Sequence, residues 1–202
     1  MAHRKVIQIF AFVPQMGAVW MEILEENKTK KWIIEALFEL LKYKEYQDIT
    51  ISQIVNKAGL GRRTFYRYFK TKDEVMEYTT NFLMNQFANT VMINHADTLA
   101  TITKSYFEFW ENYIDLLLLL NKAHLLYYIE DNLLELIYEV ALKVGHIPLD
   151  MNYEDVMGKY NQYKYEFAFK LAGFWKVTLV WCSENPRKTP EEMSELIVSM
   201  VK

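Results

Sequence analysis

Apolar residues recur at three- and four-residue intervals along this chain, the spacing of helices with one buried face, and an all-α protein is expected. Ile33, Ile34, Leu37, Phe38 and Leu41 form such a face on a helix predicted from about Thr29 to Tyr43. Ile51, Ile54, Val55 and Ala58 form the next, on a helix starting at about Ile51. Thr50 and Gln53 make a capping box in front of it, and Ile49 and Ile54 supply the hydrophobic staple. Gly59 suits the left-handed residue that ends a helix, and Leu60 can plug the turn. A short helix then begins near Arg62. At about 100° per residue, Phe65, Tyr68 and Phe69 fall on one side of it, and Arg62, Arg63, Tyr66 and Arg67 on the other. Thr71 with Glu74 makes a second capping box, opening a long helix from Lys72 to about Asn94 with Val75, Phe82, Leu83 and Phe87 as apolar positions.

The second half continues in helices, predicted over Thr98 to Tyr113, Ile114 to Leu120 and Lys122 to Val144. Leu116 to Leu120 is a run of five leucines, which exceeds an amphipathic stripe and implies burial on most sides. Gly145 to Asn152, with Pro148 inside it, is a break. A long helix is expected from Glu154 to Ser183, apolar nearly all round between Phe167 and Trp181, so it needs cover on two faces. Asn185 and Pro186 end it. Thr189, Pro190 and Glu192 start the last helix with a third capping box and a proline in its first turn, and Met193, Leu196, Ile197, Met200 and Val201 give it a regular stripe.

Composition adds a size for the core. With 202 residues and 51% hydrophobic content the chain can bury a substantial interior, and six glycines and four prolines leave little room for long loops. The single cysteine, Cys182, excludes an intrachain disulfide and fits a reducing cytoplasm, where it is expected as a buried small residue. His3, His95, His124 and His146 show no metal-ligand spacing, and neither a glycine-rich phosphate loop nor a nucleophile elbow occurs, so no cofactor, no metal and no enzyme activity are expected. Met1 to Lys5 is basic and Val6 to Met21 largely apolar, like the start of a signal peptide, but Gln8, Pro14 and Gln15 interrupt the run and it is too short to span a bilayer. Residues 1–24 are expected to be an extension outside the fold, with Met16 or Met21 as alternative starts. A membrane or partner anchor is the other possibility, and no stable membrane association is expected.

Charge changes the picture most. Ile49 to Lys72 carries six basic residues (Lys57, Arg62, Arg63, Arg67, Lys70, Lys72) and no acid, in a chain of formal net charge -3, so the remainder sums to -9. A cationic island on an acidic chain is what local contact with a polyanion requires, and the same stretch has the pattern of a helix-turn-helix. Arg62 and Arg63 are assigned to the major groove, because the guanidinium fork matches guanine O6 and N7. Thr64 suits a thymine methyl or a phosphate, and Arg67 suits either a base or a phosphate. Thr50, Tyr66, Tyr68 and Lys72 suit phosphates that set the register.

The run from Thr50 to Val75, T-I-S-Q-I-V-N-K-A-G-L-G-R-R-T-F-Y-R-Y-F-K-T-K-D-E-V, resembles the DNA-binding domain of the TetR/AcrR-like one-component transcription regulators. The likeness covers about residues 30 to 90, and Gly61 departs from it, standing where members more often carry Ser or another capping residue. It implies a helix-turn-helix domain over 25–72 and a helical ligand-binding and dimerisation domain over 73–202, with the long connecting helix passing a tilt from one to the other. It also implies a homodimer on a palindromic operator of double-stranded DNA, built from the two C-terminal helices; Phe174, Val177, Trp181, Met193, Leu196, Ile197 and Met200 are the candidate interface. A pocket for a small hydrophobic effector is implied in the body, with Phe107, Trp110, Tyr113, His124, Tyr127, Tyr128, Tyr163 and Phe167 as candidate lining. The function expected is a cytoplasmic repressor released by an inducer. The alternative is a constitutive DNA binder whose body is a protein-interaction module set by a partner protein.

Overall fold

The computed structural model describes residues 27–93, 98–130, 132–133 and 161–201, which form helices and turns with no strand among them. The expectations for residues 1–24, for the helix beyond 133, for the break at 145–152 and for a helix start at Glu154 lie outside the described residues. The chain divides into two units, 1–76 and 77–202.

In the first unit, Asn27 caps helix α1 (Lys28–Leu41), its side-chain oxygen accepting the amides of Thr29 at 3.0 Å and Lys30 at 3.4 Å. All five apolar positions that the spacing marks on α1 are buried. A 3-10 turn, Tyr46–Asp48, leads to α2 (Ile51–Ala58). Its capping box is complete: the Thr50 hydroxyl accepts the Gln53 amide at 3.3 Å, and the Thr50 amide donates to Gln53 Oε1 at 3.0 Å. Gly59 ends α2 at φ 69°, with its amide donating to Asn56 O and the Leu60 amide to Val55 O at 2.8 Å. That pair of bonds is the Schellman closure, which lets α3 (Arg62–Tyr68) leave in a new direction. Ile49, Ile54, Val55, Phe65 and Phe69 join the buried face of α1 in one apolar interior.

The two glycines at this turn play unlike parts. Gly59 needs positive φ, whereas Gly61, the N-cap of α3, sits at φ -91° and ψ 153° and supplies no side-chain bond. A Cβ at either would meet nothing within 4 Å, so backbone conformation alone decides the outcome. Gly59→Ala is expected to lower stability by about 1 kcal/mol. Gly61→Ser is expected to raise it by about 0.5 kcal/mol, through a new cap and a less flexible unfolded chain. Urea denaturation midpoints should move in opposite directions, and a shift of the same sign for both would contradict this account.

Helix α4 (Lys72–Ile93) starts in the first unit. Thr71 Oγ1 accepts the Glu74 amide at 3.1 Å, while the Glu74 carboxylate reaches one residue further back than a capping box predicts, to the Lys70 amide. The second unit continues with α5 (Leu99–Glu111), α6 (Ile114–Lys122), α7 (Asn161–Ser183) and α8 (Pro190–Val201). The box predicted at Thr189 is present in front of α8, with its amide on Glu192 at 2.7 Å; those bonds hold the Glu192 carboxyl below its ordinary range. Helices α5 and α8 lie side by side, and α7 packs on α6. Two buried hydroxyls lie in the α5–α8 seam: Thr103 and Ser194 are 2.9 Å apart, Thr103 also bonds Leu99 O at 2.7 Å and Ser194 bonds Ala100 O at 2.8 Å. Tyr106 OH meets Thr178 Oγ1 at 2.9 Å, and Trp181 Nε1 donates to Lys188 O at 2.7 Å.

Two sequence expectations are corrected here. Helix α6 runs to Lys122 and stops, and the helix expected from Lys122 resumes only at 127. His124 takes the left-handed conformation at φ 57°, with Leu125 N–H on Leu120 O at 2.9 Å, the same closure that Gly59 makes without a glycine to announce it. The leucine run is also amphipathic after all: Leu116, Leu117 and Leu120 are buried, Leu118 is exposed and Leu119 is half-buried. Cys182 is buried, and burial pushes its thiol up to about 11, so it stays protonated and unreactive at neutral pH.

Candidate nucleic-acid interface

The site begins with the aromatic side of α3. Phe65 is fully buried and Phe69 nearly so, their ring centroids 6.1 Å apart, and this anchor fixes how the helix is rotated about its axis. Arg62, Arg63, Tyr66 and Arg67 consequently point to solvent, with Tyr66 56% exposed and packed edge-on to Phe65 at 5.7 Å. Thr64 and Tyr68 are half-buried at the flanks, and Thr50 is exposed at the start of α2. Hydrogen bonds to Asn27 and then Thr29, at the start of α1, hold the Tyr68 phenol below its ordinary range. The face is therefore a strip of three guanidiniums with hydroxyls along its edge, the composition that suits base edges flanked by phosphates.

Two side chains carry contacts with no local sequence signal. Arg62 donates through Nε to Ser52 Oγ on α2 at 3.1 Å and through Nη2 to the same oxygen, so its guanidinium is held against the neighbouring helix. Ser52 was not among the predicted site residues. Lys72, expected on a phosphate, turns its ammonium to the protein's own main chain, donating to the carbonyls of Tyr46, of Gln47 at 3.2 Å and of Ile49 at 3.0 Å. It also lies 4.4 Å from the centroid of the Tyr46 ring.

A family model described as bacterial regulatory proteins, tetR family, matches residues 33–79, the segment that builds this face. A TetR transcriptional regulator from Streptococcus agalactiae 2603V shares the fold, with a TM-score of 0.58 and 21% identity over 90% of this chain and 98% of that one. Residues 33–79 are thus of the TetR type. Among curated proteins it is 24% identical over 175 residues to the HTH-type transcriptional regulator YxbF of Bacillus subtilis (strain 168), spanning 83% of this chain and 43% of that protein. It is also 29% identical over 79 residues to the HTH-type dhaKLM operon transcriptional activator DhaS of Lactococcus lactis subsp. lactis (strain IL1403), spanning 39% of this chain and 41% of that one. The chain thus spans less than half the length of the curated relatives it matches, and these relatives are regulators, not enzymes.

Around the TetR-type head, the residues singled out in the body fall into separate places. Phe107, Trp110, Tyr113 and Tyr128 are buried, Tyr127 is 45% exposed and stacks on Tyr128 at 4.4 Å between centroids, and His124 is on the surface as the closing residue of α6. Tyr163 and Phe167 lie on α7, with side chains outside the described residues. Trp110 is buried with its ring 6.2 Å from that of Tyr106, whose hydroxyl is the polar group its Nε1 lies near. The interface candidates divide likewise. Trp181, Met193 and Ile197 are buried within the single chain, Phe174, Val177 and Leu196 are half-buried, and Met200 is exposed. Among the described side chains of α7, Tyr165, Phe169, 81% exposed, and Val180 face solvent. No helix among the described residues is long and apolar enough to cross a membrane, and none of their His, Cys, Asp and Glu side chains cluster as a metal site.

Proposed function

We propose that this protein is a sequence-specific DNA-binding transcription regulator, acting in the cytoplasm as a homodimeric repressor that a small apolar effector releases from a palindromic operator. The observation that carries the DNA-binding part is the solvent face of α3, where Arg62, Arg63 and Arg67 stand with Tyr66 opposite the buried Phe65 and Phe69. Arg62 is held by Ser52 on α2, so part of its side-chain freedom is already spent in the geometry that a base contact needs. One such helix reads only a few base pairs, and a twofold dimer doubles the footprint. The solvent-facing Met200, with Phe169 and Val180 beside the candidates on α7, is apolar surface for a second copy to cover.

The test is selection of a duplex from a random pool, followed by measurement of affinity across a range of salt. The selected site should be a palindrome, and log affinity should fall linearly with log salt at about 0.9 per phosphate neutralised. Recovery of no preferred sequence, or an affinity indifferent to salt, would refute the proposal.

A further inference from the structure

We propose that Lys72 is a positioning residue that holds the DNA-facing start of α2 in place and does not itself neutralise a phosphate, an inference that rests on the DNA-binding function proposed above. An ammonium has three protons to donate and no acceptor. Here three carbonyls, those of Tyr46, Gln47 and Ile49, take them, although these residues lie 26, 25 and 23 positions upstream. The Tyr46 ring covers the same ammonium at 4.4 Å, and the Tyr46 hydroxyl donates to Asp73 Oδ1 at 2.7 Å. The first two residues of α4 therefore grip the 3-10 turn from both sides, one by charge on its carbonyls and one by the phenol. Two residues beyond that turn stands Thr50, the cap of α2, with an exposed hydroxyl. Swinging the ammonium outward to a phosphate would take its protons from the Gln47 and Ile49 carbonyls and leave the Tyr46 carbonyl with the Ile49 amide, so the charge acts through geometry.

A phosphate ligand and a strut differ in their dependence on salt. Full-length wild type, Lys72→Met and Tyr46→Phe are titrated with the selected operator duplex over a range of salt, and hydrogen exchange of the Asp48 and Ile49 amides is followed without DNA. In the wild type these amides donate to Glu45 O at 3.0 Å and Tyr46 O at 3.1 Å. Lys72→Met should weaken operator binding roughly tenfold and Tyr46→Phe roughly threefold, the sizes expected for lost hydrogen bonds. Both should leave the slope of log affinity against log salt unchanged, and both should speed exchange at Asp48 and Ile49. A slope shallower by about 0.9 in Lys72→Met, with exchange unaltered, would make Lys72 a phosphate ligand and overturn the proposal. If Lys72→Met is too unstable to titrate, Tyr46→Phe, which keeps every charge, decides: full affinity and unaltered exchange would overturn it. Wild-type protein with no affinity for any duplex would remove the function instead, while the exchange data would still settle whether Lys72 holds the turn.

Discussion

Phe65→Ala is expected to cost the first unit about 3–5 kcal/mol, the range for emptying a fully buried aromatic site. Phe65 has no exposed surface, and its ring meets Phe69 at 6.1 Å and Tyr66 at 5.7 Å. It also carries the backbone bond that ends α3, with the Phe69 amide on its carbonyl at 2.9 Å. Total stability of a small unit is on the order of 5 kcal/mol, so the loss is comparable to the whole. Urea denaturation followed by limited proteolysis should show the segment around 27–76 cleaved at low denaturant, while α5 and α8 remain protected. A destabilisation below about 1 kcal/mol would mean that the ring does not set the rotation of α3, and the outward orientation of the arginines would need another cause.

The second large effect is on recognition. Changing Arg62 and Arg63 together to alanine should abolish preference for the operator, because each bidentate arginine contributes about 1–3 kcal/mol of discrimination. Two lost contacts correspond to a drop of roughly 30-fold to 20,000-fold in the ratio of operator to scrambled-duplex affinity. Both side chains are exposed, so stability should hardly change. Competition binding at one fixed salt concentration isolates the ratio from the general electrostatic term. An undiminished ratio would place sequence readout elsewhere, with Arg67 and Thr64 the next residues to change.

The head was legible in the sequence because its determinants are local. The Thr50–Gln53 box, the left-handed Gly59 and the aromatic spacing of α3 all act within a few residues of one another, and each appears where the spacing places it. Contacts that join distant segments were not legible. Nothing near Arg62 announces Ser52, and nothing near Lys72 announces three carbonyls more than twenty residues upstream. Helix α7 shows the third kind of gap. A helix apolar on every side carries no stripe to say which residues turn inward, so the phase is set by its neighbours, and Trp181 went into the interior while Val180 stayed outside. At His124 the chain turned with a residue that tolerates the left-handed region less readily than glycine, and composition gave no warning.

The paired hydroxyls of Thr103 and Ser194 bear on how the C-terminal helix is seated. Sliding α8 along α5 by one turn, about 5.4 Å, would part the two oxygens and take Ser194 from the Ala100 carbonyl, an error that purely apolar side chains would forgive. The pair works as a notch with one setting. Any surface that the outer side of α8 offers, Met200 included, is thereby delivered at a constant height along the bundle.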